Sequence, residues 1–189
     1  MPETLLTTLW ALNRKIAIIV GLVLLTSAAF VLLDIILRAF GSSFGGTDEI
    51  SGYVMAITTV WSMSFTLLEL GHVRIDILRS RVAAARGRVL FDLFALIVLA
   101  ITISVIAWYC WPVLDRSLTN LSRANTPLET PLWWVQLPWF LGWVWFALVS
   151  WLTLLAALLL FVRGEFSRAE AAIGVFAEQE QVEAQEVMQ

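Results

Sequence analysis

The sequence predicts an all-α integral membrane protein with four transmembrane helices, and three observations predict it. Hydrophobic residues make up 60% of the 189 positions and charged residues only 14%, and mean hydropathy is +0.84, outside the range of soluble domains. The apolar residues come in long blocks instead of amphipathic stripes. Finally, the basic residues fall unevenly between the blocks, as they do when a membrane separates the loops.

The first block, 16–37, is apolar except for Thr26, Ser27 and Asp34. About 20 residues at 1.5 Å rise cross the hydrocarbon core, so this is the first crossing. A cleaved signal peptide is the competing reading, because Thr26-Ser27-Ala28-Ala29 offers small residues. Against it, Phe30-Val31-Leu32-Leu33 carries the apolar run past any cut. Asn13-Arg14-Lys15 reads as a basic stop at the membrane edge. After a turn rich in Gly and Ser, Thr47-Asp48-Glu49 supplies a cap candidate and acid for a helix N-terminus. The second crossing is 50–70, with Gly71 as its stop.

Residues 72–88 are too polar to span and hold Arg74, Arg79, Arg81, Arg86 and Arg88. Read as a helix, this segment puts Ile75, Leu78, Val82 and Ala85 on one face edged by arginines, which suits a basic segment lying in the membrane interface. An irregular basic loop is the alternative. The third crossing, 89–113, ends among Trp108, Tyr109 and Trp111 and is expected to break at Pro112. A polar connector, 114–130, follows. The last apolar run, 132–162, exceeds one bilayer, which calls for Trp133-Trp134 at the interface, a crossing entered near Pro138, and a tilt or kink. These elements make one four-helix domain, 1–164, followed by an acidic Ala/Gln/Glu-rich tail, 165–189, that is either a frayed helix or disordered.

Orientation follows from the cations. With the N-terminus inside, the inner segments hold Arg14, Lys15, the five loop arginines, Arg163 and Arg168, and the outer ones only Arg38, Arg116 and Arg123. Nine against three places both termini in the cytoplasm.

The chemistry-bearing residues are few. Asp34 and Arg38 are one helical turn apart near the outer end of the first helix, where ionisable groups are costly unless paired. A proton relay is the sharper reading. A structural pair that also holds Glu49 is the better one, because a relay needs acids at mid-membrane. Glu69, His72, Arg74 and Asp76 form a second cluster at the inner side. His72 could accept a proton near neutrality, but a network tying the end of the second helix to the loop is the simpler reading. Trp139, Trp143 and Trp151, spaced by four and eight, fall on one helix face and fit either a partner protein or lipid. One cysteine and one histidine exclude a disulfide, a multi-cysteine metal site and a bis-histidine haem within the chain. No cofactor, metal site or nucleic-acid partner is expected.

These residues resemble the small membrane subunit (Q-type, DctQ-like) of the tripartite ATP-independent periplasmic (TRAP) transporters. The resemblance rests on Arg38 with Gly41, on Glu49 opening the second helix, on Gly71-His72-Val73-Arg74-Ile75-Asp76, and on Pro131-Leu132-Trp133, Pro138 and Gly142. It covers roughly 16–162. It implies a non-catalytic subunit of the bacterial inner membrane that packs beside a large transport subunit as a fixed scaffold. A periplasmic binding protein would deliver an organic anion, often a carboxylate, for sodium-coupled uptake. Arg38 and Glu49 would then fix the periplasmic end, and His72, Arg74 and Asp76 the cytoplasmic turn. Two other classes remain open from the residues alone: a small four-helix membrane enzyme, for which only His72 offers a catalytic group, and a membrane anchor for a redox complex.

Overall fold

The computed structural model describes residues 2–71 and 84–173. It contains five helices among them: α1 (Pro2–Ala39), α2 (Thr47–Leu68), α3 (Ala85–Thr119), α4 (Leu132–Val162) and the short α5 (Phe166–Ile173). The first four are long and apolar enough to cross a membrane. Helix α4 is the centre of the array. It packs against α3 on one side and α2 on the other, reaches α1, and α2 in turn packs against α1.

Helix α1 starts well before the first crossing expected at residue 16. Pro2 suits a first turn, where its missing N–H is no loss, and no Gly or Pro interrupts 3–15. Asn13 does not stop the helix, because it is turned into the protein and fully buried, one helical turn from buried Leu9. Thirty-eight residues reach about 57 Å at 1.5 Å each, well beyond the roughly 30 Å of hydrocarbon, so α1 projects past the membrane.

Helix α3 also outruns its expected end, continuing through Pro112 to Thr119. A proline removes one backbone bond, and here the packing beyond it holds the helix together, since Leu114 and Ser117 are both buried. Besides Asp92, the buried positions of α3 are Val89, Leu93, Leu96, Ala100, Ile103, Ala107, Cys110, Leu114 and Ser117. Their spacing alternates four and three, the seam of a coiled coil. The buried positions of α4 are Gly142, Phe146, Val149, Ser150, Thr153, Leu154, Ala156, Ala157 and Leu160. Many of these side chains are small, which lets helices approach closely where lipid gives no hydrophobic drive to association.

Helices α2 and α4 are in tight contact at Gly142. A β-carbon there would lie 2.9 Å from Val60 Cγ1 and 3.1 Å from Trp61 Nε1. Each membrane helix ends with the same pair of reversed bonds. The wider, enclosing members are Ser42 N–H to Leu37 O (3.0 Å), Gly71 N–H to Thr66 O (2.9 Å), Ser122 N–H to Ser117 O (3.1 Å) and Glu165 N–H to Leu160 O (3.1 Å). Helix α5 occupies the start of the acidic tail and packs on α3 and α4 with Ala169 and Ile173 buried, so the fold extends beyond residue 164. Its apolar face explains this, because Phe166, Ala169 and Ile173 share one side of a helix. Of the basic segment 72–88, residues 72–83 lie outside the described residues; Arg86 and Arg88 lie in the first turn of α3.

Because the α2–α4 contact leaves no room for a side chain, Gly142→Val should lower the unfolding free energy by about 1–3 kcal/mol. Thermal unfolding of the purified variant in detergent measures it, and an unchanged midpoint would contradict the packing described here.

Candidate functional site

The polar side chains are gathered into two end clusters and three cross-links between helices. At the outer end, Asp34 is buried about one and a half turns before the end of α1. Arg38 donates to it at 2.7 Å through Nε and approaches it equally closely through Nη2. Thr47, the first residue of α2, donates its hydroxyl at 2.8 Å. Ser43 donates its hydroxyl at 3.0 Å, and the Phe44 amide donates at 2.8 Å. One carboxylate therefore collects the end of α1, the turn and the start of α2. A buried charge is tolerated only when its lone pairs are filled in this way.

Arg38 completes the knot by donating to Thr47 Oγ1 at 3.0 Å and lying 3.8 Å from the exposed carboxylate of Asp48. It does not hold Glu49, contrary to the grouping read from the sequence. Helical geometry explains this, since Asp48 and Glu49 point about 100° apart and only one can face Arg38. Glu49 instead accepts a 2.6 Å bond from the Tyr53 hydroxyl and faces Thr126, Thr130 and the Leu128 amide of the α3–α4 connector. That connector is a small hairpin, with Arg123 and Pro131 paired and Ala124 N–H bonded to Thr130 O at 2.9 Å. Leu128 sits directly over Gly46, where a β-carbon would lie only 2.5 Å away. Glu49 thus joins helix α2 to the connector, not to α1.

At the inner end, Glu69 accepts a hydrogen bond from the Trp10 indole and so ties the end of α2 to the projecting part of α1. Arg14 lies over the same indole, 5.2 Å from the ring centre, and Arg86 lies 4.8 Å from that of Phe166. His72, Arg74 and Asp76, expected in this cluster, lie outside the described residues.

Three indoles link the helices between these ends. Trp61 of α2 donates to the Pro138 carbonyl of α4 at 2.9 Å. Trp145 of α4 donates to Asn13 Oδ1 of α1 at 3.1 Å. Trp151 of α4 donates to Ser104 Oγ of α3 at 2.9 Å. Helix α4 therefore makes one indole bond to each of the other membrane helices. Trp139 and Trp143 contact each other edge to face at 6.3 Å. Trp143 packs against the core with its N–H enclosed, while Trp151 remains exposed, so the three do not form one outward face. Sequence reasoning missed Thr47, Ser43, Asn13, Trp61, Trp145 and Ser104. Only the isolated Asn13, polar before an apolar block, carried a signal.

What this arrangement can do chemically is hold helices, and little else. Among the described residues no group of His, Cys, Asp and Glu side chains could hold a metal ion. No charged side chain occurs in α2 beyond Glu49, in α3 between Asp92 and Asp115, or anywhere in α4. The length, order and composition of the helices then find a counterpart among known proteins. Residues 27–160 match the family model described as "Tripartite ATP-independent periplasmic transporters, DctQ component". The chain belongs to this DctQ family. It is thus a component of a transporter and not an enzyme. No curated protein and no solved structure matches it.

The outer knot has an ordering that can be tested. Arg38 is half exposed and its loss leaves Asp34 three neutral donors, whereas loss of Asp34 strands four donors at once. Arg38→Ala should lower the melting temperature by about 2–4 °C and Asp34→Ala by more than twice as much. Equal losses, read by thermal unfolding in detergent, would contradict a carboxylate-centred knot.

Proposed function

We propose that this DctQ-family chain is the static scaffold of a sodium-coupled TRAP transporter, seated in the bacterial inner membrane with both termini in the cytoplasm. It packs beside the large transport subunit. That subunit moves an organic anion, a carboxylate in this reading, delivered by a periplasmic binding protein. One observation carries the scaffold role: the middle stretches of the described membrane helices are uncharged and linked by indole bonds, and the charges lie to either side of them. A path for a carboxylate and sodium needs polar groups near mid-membrane, and the described part of this chain supplies none that is charged. The orientation is supported by the nine-to-three excess of cations on the inner side.

One pair of variants tests both parts. Ser42→Cys and Ser167→Cys, each in a Cys110→Ala background, place a thiol at either end. In intact cells an impermeant maleimide should label the first and reach the second only after lysis. With both positions spin-labelled in the assembled transporter, the distance between them should stay the same with and without sodium and substrate. The reverse labelling pattern would overturn the orientation, and a shifted distance distribution would overturn the static role.

A further inference from the structure

The two sides of the helix array differ in kind. Over the membrane-crossing stretch of α1 the large exposed side chains are aliphatic, among them Ile18, Leu22, Leu25, Leu32 and Ile36, with an apolar groove of about 290 Å³ against α2, a surface of the sort acyl chains cover. The exposed side of α3 turns aromatic toward its outer end. Trp108 is 77% exposed, Tyr109 71% and Trp111 51%. On one flank of Trp108 an apolar groove of about 570 Å³ opens between α3 and α4, lined by Ser104, Ala107, Phe140, Val144 and Ala147. On its other flank a second, of about 530 Å³, runs between Val105 and Trp151.

Trp108, Tyr109 and Trp111 lie near the outer end of α3, where anchoring aromatics also occur, and depth separates only Trp151 from membrane anchors. Tryptophans that anchor a protein sit at head-group level, where the indole N–H meets polar lipid or water. Ser104 lies midway between Asp92 and Asp115, the charges that bracket the apolar run of α3. Its partner Trp151 is twelve residues from Arg163, about 18 Å along the helix, close to the middle of a hydrocarbon layer roughly 30 Å thick. Yet Trp151 is 41% exposed. Its N–H is satisfied inside the chain, so what it offers outward is ring surface only.

The core cluster of large buried side chains runs from Leu9, Leu67, Val89 and Ile173 at the inner end to Ile103 and Phe146 near mid-helix. Buried Ala107, Cys110 and Leu114 continue it along α3 toward the outer end, beside the larger groove.

We propose that the outer half of the α3–α4 face seats an apolar transmembrane helix of the large membrane subunit, while lipid covers α1. The proposal rests on the subunit reading above and adds the face. Exposed tryptophan and tyrosine beside a pocket are the residues that carry most binding energy at protein interfaces. The small side chains of Ala107 and Ala147 let a neighbouring helix approach. Ser104 is committed twice, donating to Ala100 O at 2.7 Å and accepting from Trp151, and apart from the indole edges of Trp108 and Trp111 the groove is walled by apolar side chains. The seated residues are therefore large and apolar: leucine, isoleucine or phenylalanine, with no charge among them.

Site-directed photo-cross-linking tests this in membranes holding the full chain, the large subunit and the binding protein. The photoreactive residue p-benzoylphenylalanine replaces Val105 or Trp108 on α3, or Leu22 or Leu25 on α1. Irradiation should give an adduct with the large subunit from the α3 positions at no less than ten times the α1 yield. Adducts from α1 alone, a dimer of this chain, or lipid adducts alone at 105 and 108 would each overturn the proposal. Val144→Trp, which fills the groove from an exposed position, should cut co-purified large subunit at least fivefold without changing the subunit's own melting temperature. Unchanged co-purification would also overturn it. If the unaltered chain retains no large subunit at all, the subunit reading fails with it; if it does and the adducts come from α1, only the face is wrong.

Discussion

A polar group inside a bilayer must find its partner within the protein, because hydrocarbon offers none. In this chain that constraint converts tryptophans and a few small polar residues into the joints of the structure. Each indole that reaches across from or to α4 meets an acceptor on a different helix: a proline carbonyl on α4 itself for Trp61, an asparagine on α1, a serine on α3. The hydroxyls of Thr58, Thr66, Thr102, Ser150 and Thr153 fold back onto their own helices and so add no polarity to the interior. Among the described residues most polar groups are thus spent on holding helices; Ser64, Gln136 and Trp143 each keep a buried polar atom without a partner, and none of the three is charged.

The same constraint pushes charge to the ends. Asp34 is affordable only because five donor contacts converge on it, and Glu49 because Tyr53 and the connector reach it. The outer end therefore consists of two separate knots, one closing the α1–α2 turn and one fixing the α3–α4 hairpin over the start of α2. Together they fix the positions of all four membrane helices at that end, while the α3–α4 seam and α5 do so at the inner end. A body pinned at both ends and cross-linked between them is suited to stay still while another part moves.

The fold class and the four crossings were legible because long apolar blocks need no periodicity to be seen. Helix packing was not legible, and the reason is physical. The α3 seam alternates four and three from Val89 to Ser117, but Leu90, Phe94, Ile97 and Val98 on the lipid side are as apolar as Leu93 and Leu96 within it. Hydrophobic pattern cannot mark a face when solvent and core are alike. Asp34 with Arg38 was readable from i,i+4 spacing. That Thr47 and the Phe44 amide complete the site was not, because a turn brings them there. The indole bonds also escaped detection, since a tryptophan in a membrane sequence is equally consistent with an anchor, a core residue or a joint, and only position along the neighbouring helix decides. Helix ends proved least legible: capping and packing of Asn13, Leu114 and Ser117 carried α1 and α3 well beyond their apolar blocks.

The account stands on the claim that this chain contains no route for a solute. Reconstitution of the purified chain alone into liposomes, with an inward sodium gradient and radiolabelled carboxylate substrate, tests that claim directly. No uptake above empty liposomes is predicted, with uptake appearing once the large subunit and the binding protein are added. Sodium-driven accumulation by the chain alone would contradict it.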